Sequence, residues 1–140
     1  MNAPGDLFDF EGQWTLTRTI RDARAGQVVQ ADGTAVLHRA DHGLVYDEEV
    51  TLRIPGQAEM KGTRRYMWHA DRDGIAIHFD DGRYFHRLKL GSQQVADHHD
   101  CAPDSYGATY DFGNWPRWNV RWVVSGPRKS YEMDTQYVLR

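Results

Sequence analysis

The sequence predicts an all-β chain, folded over residues 1–140 as a single antiparallel, up-and-down β-barrel entered through a short N-terminal helical turn. Three observations predict it. Apolar residues recur with a period of two along nearly the whole chain, the pattern of strands with one buried face. Gly, Pro, Asp and Asn interrupt that alternation at intervals of about eight to fifteen residues, as hairpin turns do. About nine or ten such strands would leave two long sheet edges exposed in an open sheet, whereas closure removes them.

From Asp6 to Glu11 a short turn is expected, with Asp6 as its cap and Leu7, Phe8 and Phe10 plugging one end of the barrel. The first strand, Gly12 to Arg21, carries Trp14, Leu16 and Ile20 on one face and Thr15, Thr17 and Thr19 on the other. Arg24 to Asp32 reads as a flexible connection, and Thr34 to Arg39 as a second strand with Ala35 and Leu37 inward. Leu44 to Ile54 places Leu44, Tyr46, Glu48, Val50, Leu52 and Ile54 on one face, so that Glu48 interrupts a buried row. The strand Ala58 to His69 carries Met60, Gly62, Arg64, Tyr66 and Trp68 on its even face. A three-residue loop, Pro55 to Gln57, pairs Leu52 with Met60, Glu48 with Arg64, Tyr46 with Tyr66 and Leu44 with Trp68. A two-residue loop would mix the faces, because a one-residue slip turns every side chain over. Glu48 and Arg64 are therefore expected to meet inside as an ion pair.

Asp81-Gly82 predicts a two-residue type I′ hairpin that pairs Phe79 with Tyr84, Ile77 with His86 and Ile75 with Leu88. His86 then points inward and Phe85 outward. A strand from Val95 to Cys101 returns beside it with Val95, Asp97, His99 and Cys101 inside, which makes His86 and His99 cross-strand neighbours. Pro103 ends that strand. Inward rows follow at Tyr106, Ala108, Tyr110 and Phe112, at Trp118, Val120, Trp122 and Val124, and from Lys129 through Tyr131, Met133, Thr135, Tyr137 and Leu139. Turns at Gly113-Asn114, Pro116 and Gly126-Pro127 separate these rows.

Charged residues make up 26% of the chain and the net charge is −3, so no basic stripe addresses nucleic acid or an acidic membrane surface. The expected partner is a small-molecule ligand, with a homodimer as the other association considered. No apolar run reaches the length of a membrane span, Met1 to Phe10 lacks the basic and apolar regions of a signal peptide, and Cys101 alone forms no internal disulfide. A cytoplasmic location is the corresponding expectation.

Aromatic residues reach 12%, including five Trp and seven Tyr. Inward tyrosines need hydrogen-bond partners, so a polar, aromatic-lined cavity is expected, suited to an aromatic or anionic small molecule. The candidate ligand-binding residues are Glu48, Arg64, Tyr66, Trp68, Tyr84, Cys101, Tyr106, Trp122 and Tyr131. Arg64 would grip an acid group through its two-pronged donor geometry, with Glu48 orienting it. His86 and His99 are the candidate acid/base pair for an isomerase, lyase or cyclase on the same barrel. The bland reading gives each of them a Tyr or Asp partner in a polar core. A third reading is a structural or interaction domain, its hint being an outward Phe85. His86, His99 and Cys101 with Asp97 or Asp104 are metal-ligand types, but their spacing matches no standard motif, so no metal and no cofactor is expected. Cys101 and His99 lie about 7 Å apart along one strand face, too far for a ready nucleophile and base pair.

Phe10-Glu11-Gly12-Gln13-Trp14 resembles the F-x-G-x-W signature that opens lipocalin-type barrels of the calycin superfamily. The resemblance implies a calycin-like barrel in which Trp14 closes one end against an Arg, for which Arg140, Arg121 and Arg128 are candidates. Four further blocks are similar to a bacterial family of unknown function with calycin-like character: Arg64-x-Tyr66-x-Trp68, Asp81-Gly82-Arg83-x-Phe85-His86-x-Leu88, His99-x-Cys101-x-x-Asp104-x-Tyr106 and Gly126-Pro127-Arg128-Lys129-x-Tyr131. That resemblance implies the fold and carries no activity. The T-D-Y motif of lipocalins proper and the Gly-rich motif of haem-binding nitrobindin-like barrels are absent.

Overall fold

The computed structural model describes residues 3–140. A 3-10 turn, Leu7–Phe10, leads into ten strands: β1 (Gly12–Asp22), β2 (Gln27–Ala40), β3 (Gly43–Arg53), β4 (Met60–Asp71), β5 (Gly74–Phe79), β6 (Tyr84–Lys89), β7 (Gln94–Cys101), β8 (Asp104–Asn114), β9 (Arg117–Gly126) and β10 (Lys129–Leu139). They form one antiparallel sheet in the order β6-β5-β4-β3-β2-β1-β10-β9-β8-β7, with β1 paired to β10. The two edge strands, β6 and β7, come round to face one another, so the barrel is nearly closed. Across this seam the Arg87 backbone N–H donates to the Asp97 carboxylate at 2.6 Å.

One end of the barrel is plugged by the N-terminal turn. The Asp6 carboxylate accepts from the Phe8 N–H at 2.7 Å while the Asp9 carboxylate accepts from the Asp6 N–H at 3.1 Å, a reciprocal cap that fixes the first turn. Leu7 and Phe10 are thereby turned inward and buried, and the Phe10 ring meets Trp68, Phe112, Trp115 and Trp118 edge-on. The Trp14 indole N–H donates to the Phe10 carbonyl at 2.9 Å. The Trp14 indole nitrogen is thereby satisfied within the N-terminal turn. Arg121 is occupied by Glu132 on the outside, and Arg140 contributes its backbone N–H to the Gln13 carbonyl. The five hairpin turns β1–β2, β3–β4, β5–β6, β7–β8 and β9–β10 surround the other end, which forms a mouth.

The β3–β4 register is the one the sequence predicts, with Leu52 opposite Met60, Glu48 opposite Arg64, Tyr46 opposite Tyr66 and Leu44 opposite Trp68. The expected loop over Arg24 to Asp32 is shorter than predicted. β2 begins at Gln27, because Val29 and Ala31 continue the buried row of Ala35 and Leu37 and are themselves buried. Between them Gly33 lies opposite both Leu16 and Val50. A Cβ there would fall on the backbone carbonyl of Glu49, so this strand crossing requires glycine.

The β5–β6 hairpin departs from the two-residue turn. Gly82 donates its N–H to the Phe79 carbonyl at 2.9 Å and Phe79 donates to Arg83 at 2.8 Å, so three residues, Asp80 to Gly82, form the loop, with Gly82 at φ 90°. This is the hairpin that places glycine in a left-handed position at a bulge. Phe79 therefore faces Arg83, not Tyr84. A second irregularity restores Ile77 opposite His86 and Ile75 opposite Leu88, while His78 pairs with Tyr84 and Phe85 is the extra residue. Two residues of a bulged strand oppose one on the partner, which lets Phe85 join His86 on the inner side. Phe85 is half-buried against the core instead of outward, and Tyr84 is exposed.

Candidate functional site

The middle of the barrel is a polar layer wrapped in aromatic rings. Arg18 is buried and donates through Nη1 and Nη2 to the two Glu48 oxygens, both at 2.7 Å, and through Nε to Thr135 Oγ1 at 2.8 Å. Tyr46 donates its hydroxyl to Glu48 Oε1 at 2.6 Å and lies 2.7 Å from the Tyr137 hydroxyl. Burial works against the charge on both partners. The bidentate bond outweighs it, raising the Arg18 guanidinium and lowering the Glu48 carboxyl relative to their ordinary values. The expected Glu48–Arg64 ion pair is thus replaced by Glu48–Arg18, although Arg64 does sit opposite Glu48 in the ladder. Arg18 stands between Leu16 and Ile20 in the inward row of β1, and that position was its signal in the sequence. Tyr46 stacks flat on Trp68 at an interplanar angle of 2°, and Tyr137 stacks on Trp118 with ring centroids 3.8 Å apart.

His86 belongs to this sealed interior. It is 3% exposed, and its Nε2 is 2.7 Å from the Tyr110 hydroxyl. Its Nδ1 is buried without a hydrogen-bond partner, as are the indole nitrogens of Trp68 and Trp118. Burial pulls the imidazole down to about 4, with Asp97 acting upward and His99 downward. His86 is therefore neutral at physiological pH. His86 and His99 are not ladder neighbours, because β6 and β7 meet at the unpaired seam.

Above His86 lies a cluster of flat rings. Phe85 stacks on Phe79 at 4.4 Å and on Trp122 at 5.0 Å, with Tyr66 stacked at 5.8 Å, and it meets His86 and His99 edge-on at 4.6 and 5.4 Å. His99 faces Tyr106 in the ladder. The Tyr106 hydroxyl accepts from Lys129 Nζ at 2.8 Å, and Asp104 lies 3.3 Å from the same ammonium. These two partners raise the lysine above its ordinary value. Tyr131 stands nearby, its phenol raised by burial and by Tyr106 and drawn down by Lys129 and Arg64.

Arg64 completes the mouth. β5 pairs only with Tyr66 to Asp71 of β4, so the Met60 to Arg65 half of β4 has a partner on its β3 side alone. The resulting notch in the wall is a hollow of about 430 Å³ lined by Arg64, Arg65, Tyr66, Phe79, Asp80 and Asp81. Arg64 is solvent-accessible yet crowded, as a group standing in a concavity is. Burial lowers its guanidinium, the Tyr66 phenol and Glu48 act upward, and the net displacement is upward. Its Nη1 donates to the Tyr66 hydroxyl at 3.3 Å. Arg64 makes no ion pair among the described residues, whereas its neighbour Arg65 binds Asp47 on the outside at 2.7 Å.

The structure therefore places Arg64, Tyr66, His99, Tyr106 and Tyr131 around one mouth, with Phe79, Phe85 and Lys129 beside them, while Trp122 is buried in the core. It separates the rest. Glu48 and Trp68 belong to the packed interior, His86 lies beneath Phe85, Tyr84 is on the outer surface and Cys101 is exposed at the end of β7. The Phe85 ring stands against His86, at 4.6 Å. Among the described residues no cluster of three or more His, Cys, Asp or Glu side chains is arranged to hold a metal, and no helix is long and apolar enough to cross a membrane.

A nearly closed antiparallel up-and-down barrel with one end plugged is a lipocalin-like fold. The chain belongs to a family of unknown function, DUF6314, whose model matches residues 10–139. Among solved structures it is similar to the S-type phycobiliprotein lyase of Guillardia theta, with 9% sequence identity and a TM-score of 0.56 over 96% of this chain and 90% of that one. No curated protein matches it in sequence.

Proposed function

We propose that this protein binds a small, flat, anionic organic molecule at the barrel mouth. The observation that carries the reading is Arg64, a crowded guanidinium without a carboxylate partner beside a surface of stacked rings. Arg64 is exposed at the mouth, and a ligand acid group would supply it with a carboxylate partner through a bidentate bond. The half-buried rings of Tyr66 and Phe79 line the hollow beside Arg64 and offer an apolar surface for a conjugated ring system, and the Tyr66, Tyr106 and Tyr131 hydroxyls offer polar contacts at its edge. The lyase with the same barrel is by its name a phycobiliprotein enzyme, which supports including bilin-like conjugated acids in this class.

The probe for this reading is 8-anilinonaphthalene-1-sulfonate, a flat aromatic anion that fluoresces when removed from water. Saturable binding is expected, and Arg64→Met should weaken it at least about tenfold, the scale of one lost charge-assisted contact. Arg39→Met, which removes a charge at the plugged end where Arg39 pairs with Glu11, should leave it unchanged. Equal losses in the two variants would reduce the effect to general charge attraction and overturn the assignment.

A second reading, proton transfer on such a ligand, is favoured by Lys129 donating to the Tyr106 hydroxyl beside His99. The imidazole of His99 is half-buried beside the Tyr106 ring, so an imidazole and a phenol face the same mouth. On this reading His99→Ala retains binding of a convertible ligand and loses its conversion, whereas under binding alone no ligand is chemically changed by either protein.

A further inference from the structure

We infer that His69 and His78 form a surface site for a divalent first-row transition metal, of which Zn2+ is the test case. In the ladder His69 lies opposite Ala76 and Met67 opposite His78, so the two histidines are diagonal neighbours on the outer face of β4 and β5. Such neighbours are within reach of long or aromatic side chains, and their ring centroids are 5.2 Å apart. Two imidazoles bound to one tetrahedral zinc through nitrogens at about 2.0–2.1 Å hold their ring centres about 5 Å apart. The backbone has already set that spacing.

The second observation concerns protons. His69 Nδ1 is 3.1 Å from the His42 carbonyl and His78 Nδ1 is 3.1 Å from the Gly82 carbonyl. A carbonyl oxygen only accepts, so each Nδ1 carries its hydrogen and each Nε2 presents a lone pair. A ring nitrogen tied to a carbonyl is also the arrangement that orients metal-binding histidines and makes them better ligands. The contrast with other surface histidines is direct. His38 Nε2 lies 3.1 Å from the Asp47 carboxylate and His98 Nε2 lies 2.8 Å from Asp100, contacts that occupy the nitrogen a metal would need. His69 and His78 have carbonyls at one nitrogen and leave the other free to coordinate.

With two protein ligands, water completes the coordination shell, and affinity belongs in the micromolar range. Imidazole nitrogen suits Zn2+, Ni2+ and Cu2+, with Cu2+ the tightest by the general ordering of these ions. The ion would clip β4 to β5 on the outside of the strand pair whose inner side carries Tyr66 and Phe79. This site is independent of ligand binding at the mouth.

Isothermal titration of the full chain with ZnCl2 should give one ion per chain. His69→Ala and His78→Ala should each weaken it at least tenfold, while His98→Ala leaves it unchanged. Long-range 1H–15N NMR of the native protein reads the same proposal without a variant. Both histidines should appear as Nδ1–H tautomers, and both Nε2 resonances should move on adding Zn2+. Absence of stoichiometric binding, affinity unchanged in both variants, or Nε2–H tautomers at these two rings would overturn the proposal.

Discussion

Glu48→Ala is expected to lower the unfolding free energy by about 3–5 kcal/mol, read as the shift of a urea transition at pH 7. The reason is what it leaves behind. Arg18 is 6% exposed, and its guanidinium would lose both bonds to Glu48 and keep only the one to Thr135. An arginine does not shed its proton, so the buried charge would stay uncompensated. Tyr46 would also lose its acceptor and keep only the neighbouring Tyr137 hydroxyl. The companion change Arg18→Met in the Glu48→Ala background should recover most of the loss, because removing both charges ends the desolvation penalty. A single-variant loss below about 1 kcal/mol would match an exposed surface pair and contradict the buried network.

That coupling explains what the interior network is for. Arg18, Glu48 and Thr135 come from β1, β3 and β10; β1 pairs with β10, and β2 lies between β1 and β3. Arg18 therefore ties β3 to β1 across the interior through its bidentate pair with Glu48, and β10 through its bond to Thr135. Arg64, one strand further round on β4, is left out of this network. Because Glu48 is already satisfied by Arg18, Arg64 makes no ion pair among the described residues, which on the proposed reading leaves it for a ligand.

How much of this was legible in the sequence differs from element to element. The strands, their inward rows and the β3–β4 register follow from period-two patterning, since a buried face tolerates only one register. The cap at Asp6 was legible for a similar local reason. What failed were features that one strand pattern cannot encode. Arg18 sits in an apolar row where alternation alone does not mark it, so the cross-strand register points Glu48 to Arg64 instead. The bulge at Phe85 adds a residue where alternation assumes none, which moved Phe85 from outside to inside and Tyr84 from the site to the surface. The seam between β6 and β7 was unreadable because consecutive strands normally pair, and here barrel closure leaves this one pair without a ladder. Period-two rows place Arg64, Tyr66, His99, Tyr106 and Tyr131 on inner faces, but they do not show that the Phe85 ring stands against His86.

His86 gives the barrel an acid sensitivity separable from that of its carboxylates. Its folded value of about 4 lies below the ordinary 6.5, so between these limits the unfolded chain binds a proton that the folded chain does not. Stability therefore falls as pH drops through that window, by about 3 kcal/mol when the shift is fully expressed. Glu48 acts at lower pH, because its lowered carboxyl contributes stability that is lost only as pH falls through its folded value, below the ordinary 4.5. Urea transitions between pH 7 and pH 4 should thus show a slope in the wild type that His86→Gln removes. Glutamine can keep a hydrogen bond to Tyr110 and does not titrate. The same slope in both proteins would assign the effect elsewhere. The shift originates in burial beneath Phe85, whose ring lies 4.6 Å from the imidazole. Phe85→Ala should accordingly move the His86 titration, followed by NMR, from about 4 back toward 6.5, because water entering from the mouth solvates the charged form. An unchanged titration in that variant would mean that the seam or the packed end seals His86, and that Phe85 is not the barrier between the mouth and the interior.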